Sequence, residues 1–326
     1  MLGRSSDFDK TVLMNPRRSR NLFLLTMSML FWALQVNQTF GQGSDIHNTV
    51  DHHYANNSGV KIHYVAKGEG PVVLFVHGFP DFWYSWRNQM EALSKDFRVA
   101  AIDLRGYNLS DAPQGVENYT YHKLISDLVS VIDDMGVSSV NLVAHDWGAG
   151  ISWQMAARHP ELIDKLTILS ISHPKAGDKK PFVPIEERQP SYADSFTSPE
   201  FYSQLNENWF SGWVQGLENK NRYKEAFRNS SKEAMINYYR ANFATLENLK
   251  KPGFLNKNDS LPNIKMPVLI IHGKKDVYAL AQAHNNTWDY IDNELSIEIL
   301  PNAGHFIQQD EPEKVTRLIR QFLTKK

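Results

Sequence analysis

Three side chains in this sequence could carry nucleophilic catalysis without a serine or a thiol: Asp146, Asp276 and His305, met in that chain order. Asp146 lies in Val-Asn-Leu-Val-Ala-His-Asp-Trp-Gly-Ala-Gly, residues 140–150, where an apolar run stops and small residues follow at 148, 149 and 150. A strand that turns sharply into a helix needs small residues there, because backbone passes backbone with no room for bulk. The same pattern also fits an aspartate that merely caps the helix after it. A second apolar run, 268–272, has Asp276 just past its end, and a third leads into Leu-Pro-Asn-Ala-Gly-His-Phe, which puts His305 in a loop. Alone, Asp276 reads as a turn residue and His305 as a loop histidine. Together, at successive strand ends, the three have the order nucleophile, orienting acid, base. Upstream, His77-Gly78-Phe79-Pro80 follows the run 72–76. A glycine turn there aims a backbone N–H into the site, so the N–H groups of Phe79 and Trp147 are expected to form an oxyanion hole; a plain strand-ending turn is compatible with that.

These residues need strands to hang from. Val60, Ile62 and Tyr64 alternate with polar neighbours, as a half-wetted strand does, whereas 72–76 is continuously apolar, as a buried one is. Further strands are predicted at 99–102, 140–143, 166–171, 268–271 and 295–300. Leu124, Ile125, Leu128, Val131, Ile132 and Met135 share one helical face, and 149–159 and 313–323 also read as helices. The alternation predicts an α/β fold with a mostly parallel, doubly wound sheet that begins antiparallel. Residues 45–174 and 259–326 form its core. Residues 175–258 break the rhythm, with aromatics such as Trp209, Trp213 and Tyr238 but no buried-strand run. They read as a helical cap over the carboxyl ends of the strands, the ligand-binding end of such sheets.

Lys+Arg 35 against Asp+Glu 36 gives a net charge of −1, with no basic field for nucleic acid, so the expected partner is a small molecule. The absence of cysteine excludes thiolate chemistry and disulfide scaffolds and suits an oxidising compartment. No histidine grouping has zinc-site spacing, so no metal and no cofactor are expected. Arg17, Arg18 and Arg20 precede an apolar stretch at 22–36 and a polar exit, the layout of a secretory signal. Residues 1–44 are accordingly expected to direct export; an uncleaved membrane anchor is the alternative, and Met14 is a second candidate start. Asn108 lies in a sequon but near the predicted pocket mouth, and is expected to carry no glycan.

From about residue 58 to the C-terminus the chain resembles the α/β-hydrolase superfamily, and within it the epoxide hydrolases, whose branch also holds the haloalkane dehalogenases. The residues that carry the likeness are His77-Gly-Phe-Pro-Asp-Phe-Trp-Tyr-Ser-Trp86, Asp103-Leu-Arg-Gly-Tyr107, His145-Asp-Trp-Gly148 and Gly304-His305. The resemblance implies an α/β-hydrolase fold with an inserted cap and conversion of an epoxide and water to a diol. Asp146 would be the nucleophile, His305 the general base and Asp276 its orienting acid. Tyr192 and Tyr239 would hold and protonate the epoxide oxygen, with Tyr202 and Tyr238 as substitutes for Tyr192. His77, Phe79, Pro80 and Trp147 would contact substrate. Two positions depart from the family: Asn108 and Ala144 stand where glycine is usual. A dehalogenase would need halide donors; Trp147 is one, Phe79 offers no side-chain donor, and Trp209 or Trp213 would have to compensate. A fluoroacetate dehalogenase would place arginine where Trp147 stands, and a serine esterase would place serine at 146. A non-catalytic binding protein would need a pocket but no base.

Overall fold

The apolar runs assemble into one eight-stranded sheet, in the order β1 (Asp51–Asn57), β2 (Val60–Lys67), β4 (Arg98–Ile102), β3 (Val72–Val76), β5 (Val140–His145), β6 (Ile163–Leu169), β7 (Val268–Gly273) and β8 (Leu295–Leu300). The structure, a computed structural model, describes residues 45–177, 191–243, 245–250 and 260–325. β1 pairs antiparallel with β2, and β2 with β4; every later pairing is parallel. The continuous apolar runs of β3, β5 and β7 are buried along their whole length, as strands covered on both faces require. β1 was not anticipated. Its residues are almost all polar and only Ala55 is buried; it forms because Ser58 and Gly59 turn the chain back at φ 52° and 92°, which pairs it with β2.

Helices α1 (Arg87–Leu93), α2 (Tyr121–Asp134) and α3 (Trp147–Arg158) lie between the strands, and α2 buries the predicted stripe of Leu124, Ile125, Leu128, Val131 and Ile132. Between β6 and β7 the described residues form only helices: α4 (Tyr192–Phe196), α5 (Pro199–Gln204), α6 (Glu207–Ser211), α7 (Leu217–Asn229), α8 (Lys232–Asn242) and α9 (Leu246–Leu249). Closely spaced caps divide the insertion into these helices, four of them of six residues or fewer. Ser198, Asn206 and Ser231 each accept a backbone N–H from the turn they open, so the chain restarts every few residues. After β8 come α10 (Ile307–Asp310) and α11 (Pro312–Thr324).

Register decides what meets at the carboxyl edge. Val76 of β3 lies opposite Ala144 of β5, so the turns at 77–80 and 145–148 emerge side by side. Gly273 of β7 lies opposite Leu300 of β8, which brings out the loops of Asp276 and His305 together. Residues 1–44, where the signal or anchor is expected, lie outside the described residues, as do 178–190, 244 and 251–258 of the expected cap. No helix among the described residues is long and apolar enough to cross a membrane.

Candidate active site

Asp146 occupies the junction of β5 and α3 with φ 51° and ψ −119°, a conformation that non-glycine residues avoid. Although it stands at the N-cap position of α3, its side chain makes no capping bond, which removes the simpler reading of this residue. The turn has no spare volume: a Cβ on Gly148 would come within 2.4 Å of the Val76 carbonyl, and one on Gly78 within 2.3 Å of Asp146 Oδ1. The carboxylate instead faces two partners. Oδ1 accepts the Phe79 N–H at 2.7 Å, and Oδ2 lies 3.3 Å from His305 Nε2. Trp147, the first residue of α3, contributes an N–H with no intrahelical acceptor to the same turn.

The other nitrogen of His305, Nδ1, is 2.7 Å from Asp276 Oδ2, while Asp276 Oδ1 accepts the backbone N–H groups of Tyr278 and Ala279 at 2.8 and 2.9 Å. The three predicted residues thus form one chain, Asp276 to His305 to Asp146. Burial opposes a charged imidazole, but hydrogen bonds and charge from both carboxylates outweigh it and push His305 up to about 10. Burial also opposes ionised Asp146; the hydrogen bond and charge of His305, with His145 and the Phe79 N–H, overcome it and hold the carboxyl below its usual range. Asp276 is held low in the same way, burial being outweighed first by its bond to His305.

A group raised in the folded state stabilises the fold fully below its ordinary value, here 6.5, and that stability is lost as pH rises toward 10. The wild-type thermal midpoint is therefore expected to fall between about pH 7 and 10 by about 5 °C more than that of His305→Gln. Parallel curves in scanning calorimetry would contradict the pairing.

A cavity of about 300 Å³ opens at this chain, lined by Asp146, His305, Phe79 and Pro80 from the sheet side and by Tyr192, Phe196, Trp209, Trp213 and Tyr239 from the insertion. Tyr239, on α8, is 3% exposed. Burial raises its phenol far above the ordinary value, and Trp147 opposes this through a side-chain hydrogen bond. Tyr192, at the start of α4, is 43% exposed and is likewise raised, by burial first and the charge of Asp146 second. The two substitutes are spent differently: Tyr238 donates to the Arg105 carbonyl at 2.8 Å, and Tyr202 lies under the Lys232 ammonium.

Two expected substrate contacts need correction. His77 is fully buried and lines no part of the cavity; Nδ1 donates to the Gly78 carbonyl at 2.8 Å and Nε2 accepts the Leu104 N–H at 3.0 Å, so it braces the turn. Trp147 is also absent from the lining and reaches the site through Tyr239, edge to face at 5.0 Å. Asn108 adopts the positive φ, 42°, that replacing glycine demands, and its Nδ2 donates to Asp103 at 2.8 Å. Sequence reasoning missed Tyr278, which lines the cavity and meets His305 at 5.3 Å; its place beside Asp276 in the chain was the available signal.

A profile of the alpha/beta hydrolase fold matches residues 71–312. The chain is 34% identical to epoxide hydrolase 4 of Mus musculus over 292 residues, 82% of this chain and 77% of that protein. It is 34% identical to epoxide hydrolase 1 of Caenorhabditis elegans over 296 residues, 84% of this chain and 70% of that one. The fold superposes on the inhibitor complex of the Bacillus megaterium epoxide hydrolase with a TM-score of 0.71, at 32% identity, covering 84% of this chain and 100% of that one. An epoxide hydrolase from Vigna radiata gives 0.71 at 28% identity, with 88% and 100% covered. Matches of this extent, on a chain whose sheet order and strand-end residues stand as described, mean that it belongs to the α/β-hydrolase superfamily and, within it, to the epoxide hydrolases.

Proposed function

We propose that the enzyme opens an epoxide to a vicinal diol in two covalent steps. Asp146 Oδ2 attacks a ring carbon, the carbon–oxygen bond breaks, and the ring oxygen leaves as an alkoxide that takes a proton from Tyr239 or Tyr192. Asp146 is now a neutral ester, which changes its neighbours. Its charge was one cause of the raised tyrosines and of the raised imidazole, so both become stronger acids once the ester forms. The imidazolium can then return a proton to the tyrosinate and become the free base that the second step needs.

In that step His305 takes a proton from water, the hydroxide adds to the ester carbonyl, and the Phe79 and Trp147 N–H groups receive the oxyanion. Collapse expels the diol and regenerates the Asp146 carboxylate beside an imidazolium, the starting state. One observation carries this reading: the Asp146 side chain ignores the helix it heads and faces an N–H donor and the base. The dehalogenase alternative loses support because Trp147 does not line the cavity and Phe79, which does, has no side-chain donor.

Water labelled with heavy oxygen tests the ester directly. With enzyme in excess over styrene oxide, the first-turnover diol is expected to contain no label, its new oxygen having come from Asp146, and the label should appear in the peptide carrying Asp146. Labelled diol in the first turnover would mean direct attack by water on the epoxide.

A further inference from the structure

Of the fully buried carboxylates that the proposed chemistry does not use, Asp127 is paired with Arg105 and Asp103 with His63, whereas Asp81 is held by uncharged donors. Asp81 is 0% exposed and lies two residues after Phe79, its N–H bonded back to the Gly78 carbonyl at 2.9 Å. Its side chain collects donors from three separate elements: Tyr223 O–H from α7 in the insertion, Ser85 Oγ at 2.9 Å, and Gln309 Nε2 of α10 at 3.3 Å. Gln309 Nε2 also donates to the Tyr223 oxygen at 3.0 Å, which closes the ring of contacts. From Ser85 the network runs on, because Gln308 Nε2 donates to its oxygen at 2.8 Å and lies 3.3 Å from His145 Nδ1, and His145 Nε2 is 2.8 Å from the His305 carbonyl. Burial pushes His145 down to about 4, so it is neutral, donating through Nε2 and accepting through Nδ1.

Fold stability alone explains this poorly. Removing a carboxylate from water is costly, and apolar side chains of similar volume do as well or better where only packing matters. A carboxylate does offer several acceptor sites at once, and here they join three pieces of the active site. Helix α7 is tied down through Tyr223, and a two-residue turn later α8 begins, carrying Tyr239. Trp213, a wall of the cavity, leans on Tyr223 edge to face at 5.4 Å and stacks at 4.0 Å on Phe306, next to the base.

Resting on the epoxide reading above, we infer that Asp81 is a positioning residue that couples the seating of α7 to the placement of the Phe79 N–H and of His305. Ring opening, which uses the tyrosines of the insertion, and ester hydrolysis, which uses His305 and the oxyanion hole, then depend on the same contact. The groups that act on Asp81 are known from the same geometry. Burial raises it to about 6, against Tyr223 and Ser85, whose hydrogen bonds lower it, and Arg87, whose charge also lowers it; Asp146 adds to the rise. On acidification through that value the carboxyl gains a proton on one oxygen, could no longer accept from all its donors at once, and the coupling would slacken.

The test compares Tyr223→Phe and Asp81→Asn in the full-length enzyme with styrene oxide. Alkylation is read by single-turnover quenching of tryptophan fluorescence, and hydrolysis by decay of the ester. Both steps are expected to slow together by about tenfold or more in each variant, measured at a temperature where the variant is fully folded, although the lost buried hydrogen bond lowers the thermal midpoint. The acid limb of kcat near pH 6 should vanish in Asp81→Asn. Unchanged rates, slowing of one step alone, or losses that track the fraction of unfolded protein would overturn the coupling. Should Asp81→Asn fail to fold, the near-isosteric Tyr223→Phe still decides. A wild type that turns over no epoxide would instead defeat the underlying reading, an outcome distinct from an active Tyr223→Phe that equals the wild type.

Discussion

A His305→Gln enzyme is expected to open one epoxide per active site and release none. The first step needs the Asp146 carboxylate and a proton donor, and glutamine removes neither. The second needs a base beside the ester carbonyl, and glutamine has none. Steady-state turnover should fall by about 10³-fold or more, in the range lost with a general base. Intact mass should rise by the whole mass of the epoxide. Without its imidazolium partner the buried Asp146 titrates higher than in the wild type, so the reaction belongs at about pH 8, where the carboxylate stays ionised. The adduct should be absent from His305→Gln with Asp146→Ala. An adduct formed only from a bromoalkane, lacking bromine, would transfer the enzyme to halide displacement, and wild-type turnover would remove His305 from the mechanism.

Changing both Tyr192 and Tyr239 to phenylalanine is expected to strike the opposite half of the cycle. Without a donor the ring oxygen must leave as a bare alkoxide, and alkylation should slow by about 10⁴-fold, the upper end of what a general acid supplies. Decay of ester already formed should be nearly unchanged, since neither phenol acts on the ester carbonyl and the imidazolium can give its proton to the alkoxide in place of a tyrosinate. The single changes should be unequal. Tyr239 is 3% exposed and its ring packs edge to face on Trp147, whereas Tyr192 is 43% exposed. Tyr239→Phe should therefore cost more, about 10²-fold alone. Tyr238→Phe, which loses a bond to a backbone carbonyl away from the cavity, should lower stability and leave alkylation intact. If Tyr202→Phe slowed alkylation and Tyr192→Phe did not, the assignment of the second donor would change.

What the sequence made legible was whatever a single strand end specifies. Asp146, Asp276 and His305 each follow a buried strand and a small-residue turn, and parallel pairing in register does the rest. Strand β1 stayed hidden because its residues lack the apolar alternation that marks a strand; the turn at Ser58 and Gly59, not its own side chains, makes it pair. His77 misled for a related reason. Its motif placed it at the site correctly, but which way an imidazole points depends on the Leu104 N–H, supplied by a different strand end. Asp81 was out of reach altogether, since Tyr223 and Gln309 lie 142 and 228 residues away in the chain and only packing reveals that they meet.

The residues that form and cleave the ester hang from an eight-stranded hydrogen-bonded ladder, while the cavity walls Phe196 and Trp209 stand on helices of five residues. Mutations in those walls disturb few neighbours and leave the sheet untouched, so a lineage can try new substrates without risking its chemistry. Descendants of this chain would be expected to keep one reaction and diverge in diet. Tyr223 is excluded from that freedom: bound to Asp81, it is where the helical insertion is moored to the turn after β3.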